Sequence, residues 1–250
     1  MKLVNICEVL DIKTPTIIIF LEYKNIMSIF GYGNHDMYFE TLNQITRIIR
    51  FGTFANIIDW GSDAGFISTK VAHLRSGCFI ISVDNYIMDN QNAYERHLKE
   101  IKRNRLFNNT IVKTLFDGDT FKRLKKYPVK YQFVLNIFHW LGDGKKFTQE
   151  QWDQLFIDLI KCAKYTFFEI PNSYSDTETR RKIGTWYGDN DEIETLNRVK
   201  QQYKLKFEFE ELAEINHKRK GFRKLFLITN KFIKSYGMRE KIIDKIENKM

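Results

Sequence analysis

Asp59-Trp60-Gly61-Ser62-Asp63-Ala64-Gly65-Phe66 decides how this 250-residue chain is read. Asn56 to Asp59 reads as a short buried strand and Gly65 to Leu74 as a helix. Gly61 and Gly65 flank the tight turn between them. Glycine there lets the backbone approach a ligand, and the helix N-terminus offers free N–H donors. The spacing is DxGxxxG, not the GxGxxG of NAD-type loops. Two carboxylates, Asp59 and Asp63, stand beside the turn. They suit a pyrophosphate poorly and a cationic or zwitterionic ligand better. The second strand ends at Val83-Asp84-Asn85, where a carboxylate is placed to accept both hydroxyls of a ribose.

A regular alternation runs outward from this loop. Apolar residues at helical spacing (Tyr38, Leu42, Ile45, Ile48 and Ile49) predict a helix over Met37 to Arg50. Strands are predicted at Cys78–Asp84, Thr110–Phe116, Gln132–Ile137 and Tyr165–Ile170. Helices are predicted at Asn90–Asn104, Thr148–Cys162 and Asp191–Gln202. Lys206–Ile215 and Lys224–Thr229 close the pattern as two strands joined by a basic turn. Strands alternating with helices imply a parallel sheet with helices on both faces, and the closing hairpin implies one inserted antiparallel strand. Ahead of this lies a strand-like stretch, Thr16 to Tyr23, and a turn, Gly31 to Asn34. The expected organisation is an N-terminal extension with a lid helix (1–50), a main domain (51–230) and an amphipathic basic C-terminal helix (231–250). That last helix is read as packing on the body or as a solvated tail, with membrane-surface or partner binding as the other option.

Composition limits the class. With 43% hydrophobic and 28% charged residues, a sizeable core is expected without disulfide or metal staples. Cys7, Cys78 and Cys162 are far apart and form no CxxC, which suits a reducing compartment. No apolar stretch is long enough to span a bilayer, so a soluble protein is expected, cytoplasmic or in a host cytoplasm. The formal net charge of +9 invites a nucleic-acid reading. Richness in Ile, Lys, Asn, Phe and Tyr instead points to AT-rich codons, which raise the Lys count by themselves and suit a viral or parasite-like genome. The basic clusters are dispersed over Lys122–Lys126, Arg180–Lys182 and Lys218–Lys220.

Asp59-x-Gly61-x-x-x-Gly65, with Asp84 at the next strand end and the closing hairpin, resembles the class I S-adenosylmethionine-dependent methyltransferases. The likeness covers about residues 37 to 230. It implies an α/β, Rossmann-like, seven-stranded mostly parallel sheet with an antiparallel terminal hairpin and helices on both faces. It also implies S-adenosylmethionine as cofactor. By position, Asp59, Gly61, Ser62 and Gly65 would line the methionine and ribose end. Asp84 would hold the ribose hydroxyls, and Asn85 or Tyr86 would flank the adenine. Asp117 would reach the adenine amino group, or else it is a turn residue. Asp63 stands where the family's loop has a middle glycine, which bears on how tightly the loop turns.

The transferred methyl would lie beyond Asn136-Ile137-Phe138-His139-Trp140 at the end of the fourth strand. A hydroxyl acceptor must lose one proton, which suits a histidine. His139 is therefore read as general base or as a packing and hydrogen-bonding residue. Glu169 sits among apolar neighbours in Phe167-Phe168-Glu169-Ile170-Pro171 and needs a partner there. Its options are to orient His139, to bind substrate or to cap the following loop. His35 and Asp36 precede the lid helix, and His35 is a lesser candidate base. Trp140 reads as core. Arg180, Arg181, Trp186 and Tyr187 fall where the family's substrate-recognising insertions occur, and they suit an anionic or sugar-bearing acceptor.

The fourth strand lacks the Asp/Asn-Pro-Pro-Tyr motif of base N-methylation. It also lacks the aspartate of a Lys-Asp-Lys-Glu set, and no magnesium cluster of two Asp and one Asn is visible, so no metal is expected. Locally it resembles methyltransferases that modify lipopolysaccharide or viral surface glycans. The expected acceptor is a sugar hydroxyl of a glycan or nucleotide-sugar. The alternatives are an RNA methyltransferase and a catalytically inactive cofactor-binding member.

Overall fold

A computed structural model describes residues 36–85, 92–114, 116–142, 146–171, 178–217 and 221–233. The chain divides after Asp36 into two compact units, and the second carries every described element except the first residue of its first helix. In chain order the elements are α1 (Asp36–Ile48), β1 (Ala55–Trp60), α2 (Phe66–Leu74), β2 (Cys78–Asp84) and α3 (Ala93–Arg103). There follow β3 (Asn109–Lys113), α4 (Gly118–Leu124), β4 (Val129–Leu135) and a 3₁₀ turn at Phe138–Gly142. Then come α5 (Gln149–Ile160), β5 (Ala163–Pro171), α6 (Glu178–Tyr187), α7 (Glu192–Gln202), β6 (Phe207–His217) and β7 (Gly221–Asn230).

The seven strands form one sheet in the order β3-β2-β1-β4-β5-β7-β6. β1 to β5 pair in parallel, and β7 runs antiparallel between β5 and β6. The order reverses between β1 and β4, which opens a crevice beyond their carboxyl ends. The Rossmann-like sheet with its inserted antiparallel strand is thus present as the sequence implied.

Neighbouring residues of a strand face opposite sides of the sheet. Trp60 faces α4, with its ring 5.1 Å from Phe121. Asp59 faces α2, where the Ser68 hydroxyl meets it. On the Trp60 side, Val134, Phe168 and Phe226 pack with Phe156 of α5, Trp186 of α6 and Val199 of α7 into the main core. Gln132 lies inside this core without cost because all of its amide is used. It accepts from Trp60 Nε1 at 2.9 Å and donates to the Leu159 carbonyl at 2.9 Å and Thr166 Oγ1 at 2.8 Å. Charged anchors tie helices to this body. Arg198 grips buried Asp153 through both terminal nitrogens at 2.7 and 2.8 Å, and Lys125 meets buried Asp158 at 2.6 Å.

Two helices differ from the sequence reading. Asp117-Gly118-Asp119 is not a bare turn but the start of α4. The Asp117 carboxylate accepts from the Asp119 and Thr120 amides at 3.1 and 3.0 Å and completes a capping box. Residues 178–187, which include most of the expected substrate-recognising insertion, form α6. Ile183, Trp186 and Tyr187 lie at helical spacing, and all three are buried. The strand-like stretch at 16–23, the turn at 31–34 and nearly all of the expected C-terminal helix lie outside the described residues. Among the described residues, no helix is long and apolar enough to cross a membrane.

Candidate active site

The loop after β1 is suspended from the end of β2. The Gly61 and Ser62 amides donate to the Val83 carbonyl at 2.8 and 3.3 Å, and the Gly65 amide turns back to the Ser62 carbonyl at 2.8 Å. Gly61 and Gly65 take φ of +68° and +74°, a region open to glycine and unfavourable for most side chains. Asp63 takes φ of +46°, and aspartate tolerates this region better than most residues. Its amide donates to Asp84 Oδ2 at 2.8 Å. The missing middle glycine therefore leaves the turn tight, because Asp84 anchors the residue that replaces it.

Both glycines are hemmed in. A Cβ on Gly61 would lie 2.7 Å from the Ile137 side chain, and one on Gly65 would lie 2.1 Å from the His97 ring. His97 is fully buried on α3 and hydrogen-bonds the Asp63 backbone, while burial drives its pKa down to about 4. The neutral imidazole thus props the loop from below. The sequence reading did not single out this residue. The available signal was its place one helical turn after Ala93, on the same inward face.

Asp59 is 3% exposed and accepts the Ser68 hydroxyl at 2.6 Å. Burial raises its pKa to about 7, a rise opposed by the Ser68 hydrogen bond and aided by the Asp84 charge. A cation placed beside it would draw this carboxyl back to its charged form. Gly65 caps α2 without any side-chain hydrogen bond, so the first turn of that helix is left to other acceptors. Ser62 is buried and Asn85 half-buried at the same edge. Tyr38 and Phe39 of α1 pack on Phe66, the first residue of α2, with ring centroids 5.4 and 6.3 Å away.

The other end of the crevice is formed by β4, β5 and β7. Asn136 follows β4 at φ of +59°. Its buried Oδ1 has no hydrogen-bond partner among the described residues. His139 is 1% exposed in the 3₁₀ turn, its ring centroid 5.3 Å from that of Trp140. Glu169 is also buried, and among the described residues α1 and β7 both reach it. Thr41 of α1 donates to it at 3.4 Å, and Arg223 of β7 stands 3.9 Å away. Arg223 went unrecognised in the sequence because nothing local marks a strand arginine as buried. Strand pairing sets Pro171 against Arg223 and Glu169 against Leu225, so both charged groups share the sheet face of Asp59.

Other predicted residues fall elsewhere. Trp186 and Tyr187 are fully buried, Trp186 donating to Asp153 Oδ1 at 2.9 Å and Tyr187 to the Pro171 carbonyl at 2.6 Å. They form no open stacking wall. Trp140, read as core, is 39% exposed. Asp117 spends Oδ1 on its helix cap. Arg180 and Arg181 lie in α6, but their side chains are outside the description, as are His35, Tyr86 and the basic cluster at 218–220. Of the dispersed basic clusters, only Lys122–Lys126 has described side chains, and two of these are paired, Lys122 with Asp119 and Lys125 with Asp158.

No family profile and no curated protein matches the chain. Solved structures do. The bifunctional kinase-methyltransferase WbdD aligns at 15% identity over 78% of this chain and 38% of its own, with a TM-score of 0.55. A co-crystal structure of WbdD with the kinase inhibitor LY294002 aligns at 16% identity over 81% and 44%, also with a TM-score of 0.55. The methyltransferase domain of bacterial-CtHen1-C aligns at 14% identity over 78% of this chain and 99% of that domain, with a TM-score of 0.50. The chain shares its fold with these structures. It spans well under half of the WbdD chains it matches.

Proposed function

We propose that this chain is an S-adenosylmethionine-dependent O-methyltransferase acting on a sugar hydroxyl of a glycan or nucleotide-sugar. The observation that carries the cofactor reading is the loop at the sheet's reversal point. Gly61 and Gly65 hold positive φ there, Asp84 anchors the loop, and Asp59 lies buried beside it. These residues fit a zwitterionic sulfonium nucleoside. The uncapped first turn of α2 offers N–H groups to its carboxylate, and Asp59 faces its positive end. Asp84 offers its carboxylate to the ribose hydroxyls, and Asn85 flanks the base. When bound, the cofactor supplies an electrophilic methyl with a neutral sulfide as leaving group.

The protein's own part is alignment and removal of one proton. Glu169 is engaged by Arg223 and Thr41, which makes it a positioning group. His139, in the turn after β4, is assigned the proton of the reacting hydroxyl, and Asn136 Oδ1 accepts from a neighbouring hydroxyl of the acceptor. The test is transfer of labelled methyl from S-adenosylmethionine to sugar, nucleotide-sugar and RNA acceptors. Label on a sugar hydroxyl, reduced at least tenfold in His139→Ala, supports the reading. Label on RNA alone overturns the acceptor, and no transfer to any acceptor alongside intact cofactor binding favours an inactive member.

A further inference from the structure

Arg223 is the least satisfied charged group in the described structure. Its side chain is 1% exposed, and among the described residues its one ion pair is the 3.9 Å contact from Nε to Glu169. Neither Nε nor either terminal nitrogen has a hydrogen-bond partner among the described residues. A guanidinium is a planar fork of five N–H donors, and a structural arginine this deeply buried normally spends most of them. Leaving them unspent is costly, and a group left so in a native protein calls for an explanation such as a water, an ion or a ligand. Burial lowers its pKa, but Glu169 and the nearby Tyr38 and Tyr187 oppose the shift, and an arginine stays charged in proteins.

Its place gives the deficit a meaning. Arg223 pairs in register with Pro171, the last residue of β5, at the carboxyl edge of the sheet. Leu135, the residue before Asn136, pairs in register with Glu169. The same edge therefore carries an unspent cationic fork and, two strands away across β5, the unspent acceptor Asn136 Oδ1. Tyr187 is committed to the Pro171 carbonyl. Tyr38, whose pKa burial and the Glu169 charge push up to about 12, keeps its proton and so remains a donor.

We infer that Arg223 is the oxyanion-binding residue of an acceptor subsite. It takes a phosphate or carboxylate of the methyl acceptor in its fork, while Glu169 fixes its orientation and Asn136 receives an acceptor hydroxyl. This rests on the methyltransferase reading and narrows it to acceptors that carry both an anion and a hydroxyl.

The test uses the full chain saturated with S-adenosylhomocysteine. Glucose 1-phosphate, inorganic phosphate, acetate and uncharged glucose are titrated at constant ionic strength, with binding followed by the Arg223 Nε–Hε resonance. Saturable millimolar binding of an anion with no response to glucose is expected, and the preferred probe tells phosphate from carboxylate. The Glu169→Gln/Arg223→Gln pair, which removes both charges together and leaves no buried ion alone, is followed by calorimetry. It is expected to weaken anion binding at least tenfold while the S-adenosylhomocysteine affinity changes less than threefold. If S-adenosylhomocysteine binds but no anion does, or if the double variant binds anions as the wild type does, the subsite is refuted and the methyltransferase reading stands. If S-adenosylhomocysteine itself fails to bind, the underlying reading falls.

Discussion

Replacing Gly65 with alanine tests the support of the loop by His97. The new Cβ would lie 2.1, 2.3 and 2.4 Å from His97 Cδ2, Nε2 and Cγ, distances that side-chain carbons do not tolerate. The ring cannot simply swing aside, since it is fully buried and hydrogen-bonded to the Asp63 backbone. Two costs combine. The left-handed φ of +74° costs alanine about 1–2 kcal/mol. Forcing a methyl into a packed site costs about 1–3 kcal/mol more. Gly65→Ala should therefore destabilise by about 2–5 kcal/mol in urea unfolding. In the His97→Ala background the steric part disappears and only the backbone part of about 1–2 kcal/mol remains. The double-mutant cycle should give a coupling of about 1–3 kcal/mol. A Gly65→Ala cost below about 1 kcal/mol, or strictly additive single effects, would refute this view of the loop.

Two further outcomes are expected. Asp59 and His97 give opposing pH dependences. The folded Asp59 pKa of about 7 lies above its ordinary 3.8, so its contribution is full below about pH 4 and is lost as pH rises toward 7, by about 4 kcal/mol. The folded His97 pKa of about 4 lies below its ordinary 6.5, so its contribution is full above pH 6.5 and is lost as pH falls toward 4, by about 3 kcal/mol. Asp59→Asn should gain stability relative to wild type as pH rises from 4 to 8, and His97→Asn should gain as pH falls from 7 to 4. A pH-independent difference in either case would contradict the burial argument. In Gln132→Leu, Trp60 Nε1, Thr166 Oγ1 and the Leu159 carbonyl lose their shared partner. A loss of about 2–4 kcal/mol by thermal unfolding is expected, and a neutral result would mean that the core re-forms these bonds.

The parts of the fold that sequence made legible are those whose signal is local. Asp59-x-Gly61-x-x-x-Gly65 marks a strand, a left-handed turn and a helix because only certain residues occupy those backbone conformations. The boundaries of β2 emerge unchanged, since Cys78 to Asp84 is an apolar run closed by an acidic end. α4 and α6 also carry short-range signals, though the sequence reading did not place them. These are the Asp117 and Thr120 capping box and the spacing of Ile183, Trp186 and Tyr187 around Gly184. Arg223 is a different matter. Its burial follows from β7 inserting beside β5, a contact between residues far apart in the chain. The need of Glu169 for a partner was legible from its apolar neighbours, but which residue would supply it was not. The acceptor end is least legible because its groups come from α1, β4, β5 and β7 together.

Calorimetric titration of S-adenosylhomocysteine into the wild type and Asp84→Ala bears most directly on the cofactor assignment. Asp84 offers its carboxylate to a ribose and holds the Asp63 amide at 2.8 Å, so its loss removes a ligand contact and loosens the loop. Micromolar binding by the wild type and at least tenfold weaker binding by the variant are expected. No heat of binding from the wild type at about 100 μM protein, or equal affinity in the two proteins, would contradict it.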